Sequence, residues 1–151
     1  MEEASRRYSN SRVCFVFIDL FKCRTPEEFY EAYVQALLKA TNSKIEEAFQ
    51  FANKWLRGLV PHLSFQPDAT SEFSIRFNVH SVKDKEEILN LPQTLAAKKN
   101  IRIVLCIDEF QNINHFPFPV EFQRKLRGYW QQHSKVHYCL YGSKRHLMSQ
   151  L

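Results

Sequence analysis

The stretch Ile101–Phe110, IRIVLCIDEF, constrains the fold of this chain more than any other. It is a near-continuous run of β-branched and large apolar residues that stops abruptly at two carboxylates. Such a run suits a strand covered on both faces, as in a parallel sheet. Two further runs accompany it, VCFVFIDL at Val13–Leu20 and VHYCLYGS at Val136–Ser143. The last alternates more, which places it nearer an edge. Helical patterns separate the three, and that order predicts parallel strands joined by helical crossovers, an α/β architecture.

The helices carry their own start signals. Thr25-Pro26-Glu27-Glu28 reads as a capping box with proline at the first helical position. Phe29, Ala32, Tyr33, Ala36, Leu37 and Ala40 follow at helical spacing. Ser43 and Glu46 open a second pattern, with Ile45, Ala48, Phe49, Ala52, Leu56 and Leu59 as its stripe and Gly58 and Pro61 closing it. A third pattern spans 84–99, broken or kinked near Pro92, with Ile88, Leu91 and Leu95 inward. A fourth runs from Pro119 to Gln132, with Phe122, Leu126 and Trp130 on one face. Within 62–80, Phe73, Ile75, Phe77 and Val79 alternate with polar residues, predicting a half-exposed edge strand or hairpin. No repeat or linker interrupts the chain, so residues 1–151 read as one domain.

Composition narrows the class. Hydrophobic residues make up 44% and charged residues 25% of the 151, a globular balance that excludes disordered and collagen-like chains. No apolar run approaches the ~18 residues of a membrane span. The polar start MEEASRRYSNSR lacks the apolar core of a secretory signal. Cys14, Cys23, Cys106 and Cys139 form no CxxC pair and lie at no zinc-ligand spacing from a histidine, so they read as reduced thiols of a cytoplasmic protein. The only glycines are Gly58, Gly128 and Gly142, too few and too scattered for a GxxxxGK[ST] or GxGxxG phosphate cradle.

Charge is uneven. The net charge of +5 resides in residues 121–151, where Arg124, Lys125, Arg127, Lys135, Lys144 and Arg145 face one acid, Glu121. A basic end attracts phosphate or nucleic acid. A solvated helix face is the commoner explanation.

The chemistry concentrates at Asp108-Glu109. Burying charge costs several kcal/mol unless it is paired or on a metal. In open α/β sheets ligands bind at the carboxyl ends of the strands. Asp19 ends the first strand and Gly142-Ser143 the third, so all three polar ends point to one side. That arrangement suits a Mg²⁺-phosphate site, with one carboxylate orienting a metal-bound water and the next acting on an attacking water.

The stretch IRIVLCIDEFQNI resembles the Walker B strand of P-loop ATPases of the AAA/STAND type, in particular the prokaryotic group called archaeal-type ATPases. VCFVFIDLFKCRTPEEFYEAYVQALL is similar to the strand and helix that follow the P-loop helix there. LRGYWQQHSKVHYCLYGSKRHLM resembles the helix and sensor-1 strand. The resemblance implies a partial P-loop NTPase-like three-layer sandwich, with ATP and Mg²⁺ as cofactors. It implies that Asp108 holds Mg²⁺ through water, that Glu109 polarises water against the γ-phosphate, and that Ser143 is the polar sensor. Gln111 matches a family position without an assigned chemistry. The strand, glycine-rich loop and helix that open such ATPases have no counterpart in this sequence, nor do the fifth strand and lid. The chain is therefore expected to be the middle third of such a domain, inactive alone.

That expectation carries a corollary. The family's first strand lies beside the sensor strand, so 136–142 should have an open edge with Val136, Tyr138 and Leu140 exposed, inviting self-association or a protein partner. Three other readings compete: a non-catalytic interaction module using that edge, a metal-dependent nuclease using Asp19, Asp108 and Glu109, and a nucleic-acid binder. For the last, Tyr129, Trp130, Tyr138 and Tyr141 lie among the basic residues of 121–151, at positions that read as core rather than stacking platform.

Overall fold

The computed structural model describes residues 12–42, 47, 50, 61–65, 73–77 and 82–142. The elements are β1 (Val13–Asp19), α1 (Pro26–Thr41), β2 (Pro61–Phe65), β3 (Phe73–Phe77), α2 (Val82–Lys98), β4 (Arg102–Asp108), a 3-10 helix (Phe110–His115), α3 (Pro119–Trp130) and β5 (Val136–Leu140). Three strands form a parallel sheet in the order β1-β4-β5. Val13 pairs with Arg102 and Asp19 with Asp108, while Ile103 pairs with Val136 and Ile107 with Leu140. The most apolar strand is thus the central one, as its composition requires. The α/β class with three parallel strands and flanking helices is as the sequence reads. The hairpin expected near 62–80 is present as a separate antiparallel pair, β2 with β3. The second helical pattern, over 43–59, falls almost wholly outside the described residues.

Thr25 caps α1, its Oγ1 accepting from the N–H of Glu28 at 3.2 Å. The return bond of the capping box is shifted by one residue: Glu28 Oε2 accepts from the N–H of Arg24 rather than of Thr25. At the other end the Asn42 side chain and backbone both donate to the Leu38 carbonyl, at 2.9 and 3.1 Å. Lys99 Nζ donates to Asn42 Oδ1 at 2.9 Å and so ties the end of α2 to that of α1.

The structure corrects one half of the reading at Pro92, the break. The helix is not broken there but runs uninterrupted from Val82 to Lys98 with Pro92 inside. Proline removes one backbone hydrogen bond. Full burial of Ile88, Leu89, Leu95 and Ala96 around it holds the helix together nonetheless. Each of the isoleucine and leucine side chains contributes about 1.5–3 kcal/mol by leaving water.

The core lies on one face of the sheet. Val16, Ile18, Ile103, Leu105, Ile107 and Val136 meet the inward faces of α1, α2 and α3 there. Its aromatic centre joins Phe29 to Phe122 edge-to-face at 5.2 Å, and Phe122 to Phe116 at 5.3 Å. The alternate residues Phe15, Phe17, Val104, Cys106 and Cys139 point to the other face, and none belongs to that core. All four cysteines are free. Cys23 and Cys106 are buried, and Cys14 and Cys139 half-buried.

A second correction concerns β5. Val136 is 5% exposed and Tyr138 packs against the core, so only Leu140 of the three expected edge residues is open, at 37%. The reason is α3, whose Trp130 stacks on Tyr138 with ring centroids 4.3 Å apart. Beneath that stack lies a directed hydrogen-bond chain. Asn90 Nδ2 donates to the Glu86 carbonyl, which leaves Asn90 Oδ1 as acceptor and places the proton of His133 on Nε2, 3.4 Å away. His133 Nδ1 then accepts from the Tyr138 hydroxyl at 2.6 Å. The Tyr33 hydroxyl donates to Tyr138 at 3.4 Å and accepts from the Trp130 indole N–H at 3.2 Å. Every member is thereby satisfied, as buried polar groups require. Burial pushes the Tyr33 phenol well above its ordinary range.

Candidate functional site

The carboxyl edge of the parallel sheet gathers the acidic residues. Register places Asp19 beside Asp108 on adjacent strands. In-register neighbours of a parallel pair share a face, in this sheet the face opposite the helices. Asp19 Oδ1 accepts from the N–H of Phe21 at 2.8 Å, which turns the chain away from β1. Asp108 Oδ1 accepts from the N–H of Glu109 at 2.8 Å, which does the same for β4. Leu20 N–H donates to the Asp108 carbonyl at 3.1 Å and locks the two turns together.

The strand expected through Phe110 therefore ends at Asp108. Glu109 adopts a left-handed backbone, φ 51°, before the 3-10 helix begins. For a non-glycine residue that conformation costs about 1–2 kcal/mol. It ends the strand's alternation at Asp108. Gln111, 1% exposed, donates from Nε2 to Glu109 Oε2.

The end of β5 completes the edge. Tyr141 N–H donates to the Ile107 carbonyl and Tyr141 O accepts from Phe110 N–H, both at 3.1 Å. Burial, followed by the negative charges of Asp108, the two thiols and Asp19, pushes the Tyr141 phenol up to about 12. Tyr141 thus lies within the field of both carboxylates. Gly142 follows, and Ser143, the expected sensor, lies outside the described residues.

The donor set suits magnesium, which takes hard oxygens, usually one or two protein carboxylates with water and substrate phosphates. Asp108 and Asp19 are such donors. Among the described residues no group of three or more His, Cys, Asp and Glu gathers into a ready metal cage. Arg127 lies on α3. It is exposed there, and with Arg124 it borders a 630 Å³ groove floored by Trp130, Tyr138 and Leu140.

Sequence reading left Gln111 without chemistry and did not connect it with Gly142. One signal was available. Glycine is scarce in this chain, and Gly142 does not have a positive φ, so backbone freedom does not account for it. Close approach does: a Cβ at Gly142 would meet Gln111 Oε1 at 1.8 Å.

The geometry defines an α/β sheet of three parallel strands with two register-paired aspartates at the carboxyl ends, where such sheets bind ligands. No protein-family model and no curated protein matches the chain. Among solved structures, the Walker-type ATPase PABY2304 of Pyrococcus abyssi is similar over 90% of this chain, at 15% identity and a TM-score of 0.48. The chain spans 35% of that protein's length. Among the described residues, no helix is long and apolar enough to cross a membrane.

Proposed function

We propose that this chain carries the catalytic carboxylates of a Mg²⁺-dependent ATP hydrolase and forms one part of the complete nucleotide site. The observation that carries the reading is the pairing of Asp19 with Asp108 at the carboxyl ends of parallel strands, with Glu109 next in sequence. In this reading Asp108 would hold Mg²⁺, which would supply charge neutralisation at the phosphates. Glu109 orients the attacking water and draws off its proton. Ser143 contacts the γ-phosphate or that water. Backbone amides and a lysine for the triphosphate come from a glycine-rich segment outside residues 1–151.

A second reading, a non-catalytic interaction module, draws on a separate observation. Among the described strands β5 has one neighbour, β4, and beside it lies the groove edged by Val120 and Leu140, 51% and 37% exposed.

Isolation of the native protein from its own cell, followed by intact-mass and nucleotide-binding measurements, tests the choice. The ATPase reading expects a species heavier than 18.0 kDa, or a tight complex, that binds Mg·ATP and loses Mg²⁺-dependent affinity in Asp108→Asn. A stable lone chain that binds a protein partner and no nucleotide overturns it.

A further inference from the structure

Gln111 is one of two buried polar or charged side chains among the described residues. A carboxylate can only accept, so the Gln111 amide nitrogen must face Glu109 and its oxygen must face away. That oxygen, Oε1, is buried and has no hydrogen-bond partner among the described residues. It lies against Gly142, where an added Cβ would come within 1.8 Å of Oε1 and 2.9 Å of Cδ. The Phe110 N–H bond to Tyr141 O, 3.1 Å, joins the same two chain segments by their backbones. One rigid carboxamide therefore touches Glu109 with its nitrogen end and the end of β5 with its oxygen end.

We infer that Gln111 is a positioning residue that couples the end of β5 to Glu109: the space left by Gly142 seats the carboxamide, and the seated carboxamide holds the carboxylate. A shift of residues 141–142 toward the 3-10 helix displaces Gln111 and breaks its bond to Glu109. The empty acceptor Oε1 is the point at which a donor arriving from the β5 side engages the device. That this coupling governs hydrolysis rests on the function proposed above. The coupling itself does not.

The test uses the chain as it is, by nitrogen–proton correlation NMR of the glutamine side-chain amides. Loss of one amide pair in Gln111→Leu assigns the Gln111 signal. The inference expects that signal to be protected from solvent exchange, to lose protection in Glu109→Ala, and to move in Gly142→Ala. Gln131→Ala, on exposed surface, should leave it in place. If Gly142→Ala does not fold, the double variant Gln111→Ala/Gly142→Ala should fold, because the three atoms nearest to such a Cβ belong to Gln111. A Gln111 amide indifferent to Glu109→Ala overturns the inference. So does a Gly142→Ala chain that leaves the signal unmoved, or a double variant that fails to rescue folding. Absence of ATP hydrolysis in the native species would remove the catalytic reading and leave these NMR outcomes unchanged.

Discussion

Asp19 and Asp108 are register partners at the carboxyl ends of β1 and β4. Two carboxylates on neighbouring strands repel unless a cation, water or a donor stands between them. The backbone N–H groups of Phe21 and Glu109 each serve one oxygen of the pair. In the proposed site the second oxygen of each aspartate would face a hydrated cation. The ring of Tyr141 shares this field, which makes it a built-in reporter of the pair.

The Tyr141 phenol is held at about 12 by burial first and by Asp108 next. Removing a negative charge favours the phenolate, so Asp108→Asn should lower this titration. Ultraviolet difference titration, with Tyr141→Phe to assign the signal, measures it. An unchanged alkaline transition in Asp108→Asn would show that Tyr141 does not sense the site.

Tyr33→Phe should destabilise the protein by about 1–3 kcal/mol, the cost of leaving a buried donor without a partner. The Trp130 indole loses its acceptor in that variant and Tyr138 loses a donor. Urea unfolding followed by tryptophan fluorescence gives the value. A change below ~0.5 kcal/mol would mean that water replaces the hydroxyl and that the chain of bonds does not hold α1 to α3.

Stability should fall in alkali. Burial raises the Cys23 thiol from 9.0 to about 11 and the Tyr30 phenol from 10.0 to about 12. Both groups stay protonated in the fold after the unfolded chain has released its protons. Their contribution is full below pH 9 and is lost as pH rises through 11 to 12. Unfolding midpoints at pH 8 and pH 10.5 should differ in that direction, and less so in Cys23→Ala. Equal midpoints would contradict the burial of these groups.

Self-association should run through the edge of β5 that faces away from β4. Leu140 is its exposed apolar residue, and a charge there blunts strand addition. Leu140→Lys should lower the concentration-dependent mass measured by sedimentation. Identical association in both proteins would place the contact elsewhere.

Much of this fold is legible in the sequence because single-strand and single-helix patterns are local. The apolar run 101–108 announces a central strand, and Thr25 with Glu28 announces a helix start. What sequence reading misplaces depends on contacts between distant segments. Pro92 looks like a helix breaker until Ile88, Leu89 and Leu95 are seen buried around it. Val136 and Tyr138 look exposed until Trp130 is found stacked over the strand. Glu109 looks like part of the strand until its left-handed backbone is seen to end β4 at Asp108. The contact of Gln111 with Gly142 joins residues far apart in the chain and follows no periodicity. Only the scarcity of glycine hints at it.

The measurement that bears most directly on the central claim is Mg·ATP hydrolysis by the native species, wild type against Glu109→Gln. The account predicts turnover in the wild type and a loss of about 10²–10⁴-fold in the variant, the usual contribution of a positioned general base, with Mg·ATP binding retained. Full turnover in Glu109→Gln, or a native species that binds no nucleotide, would contradict it.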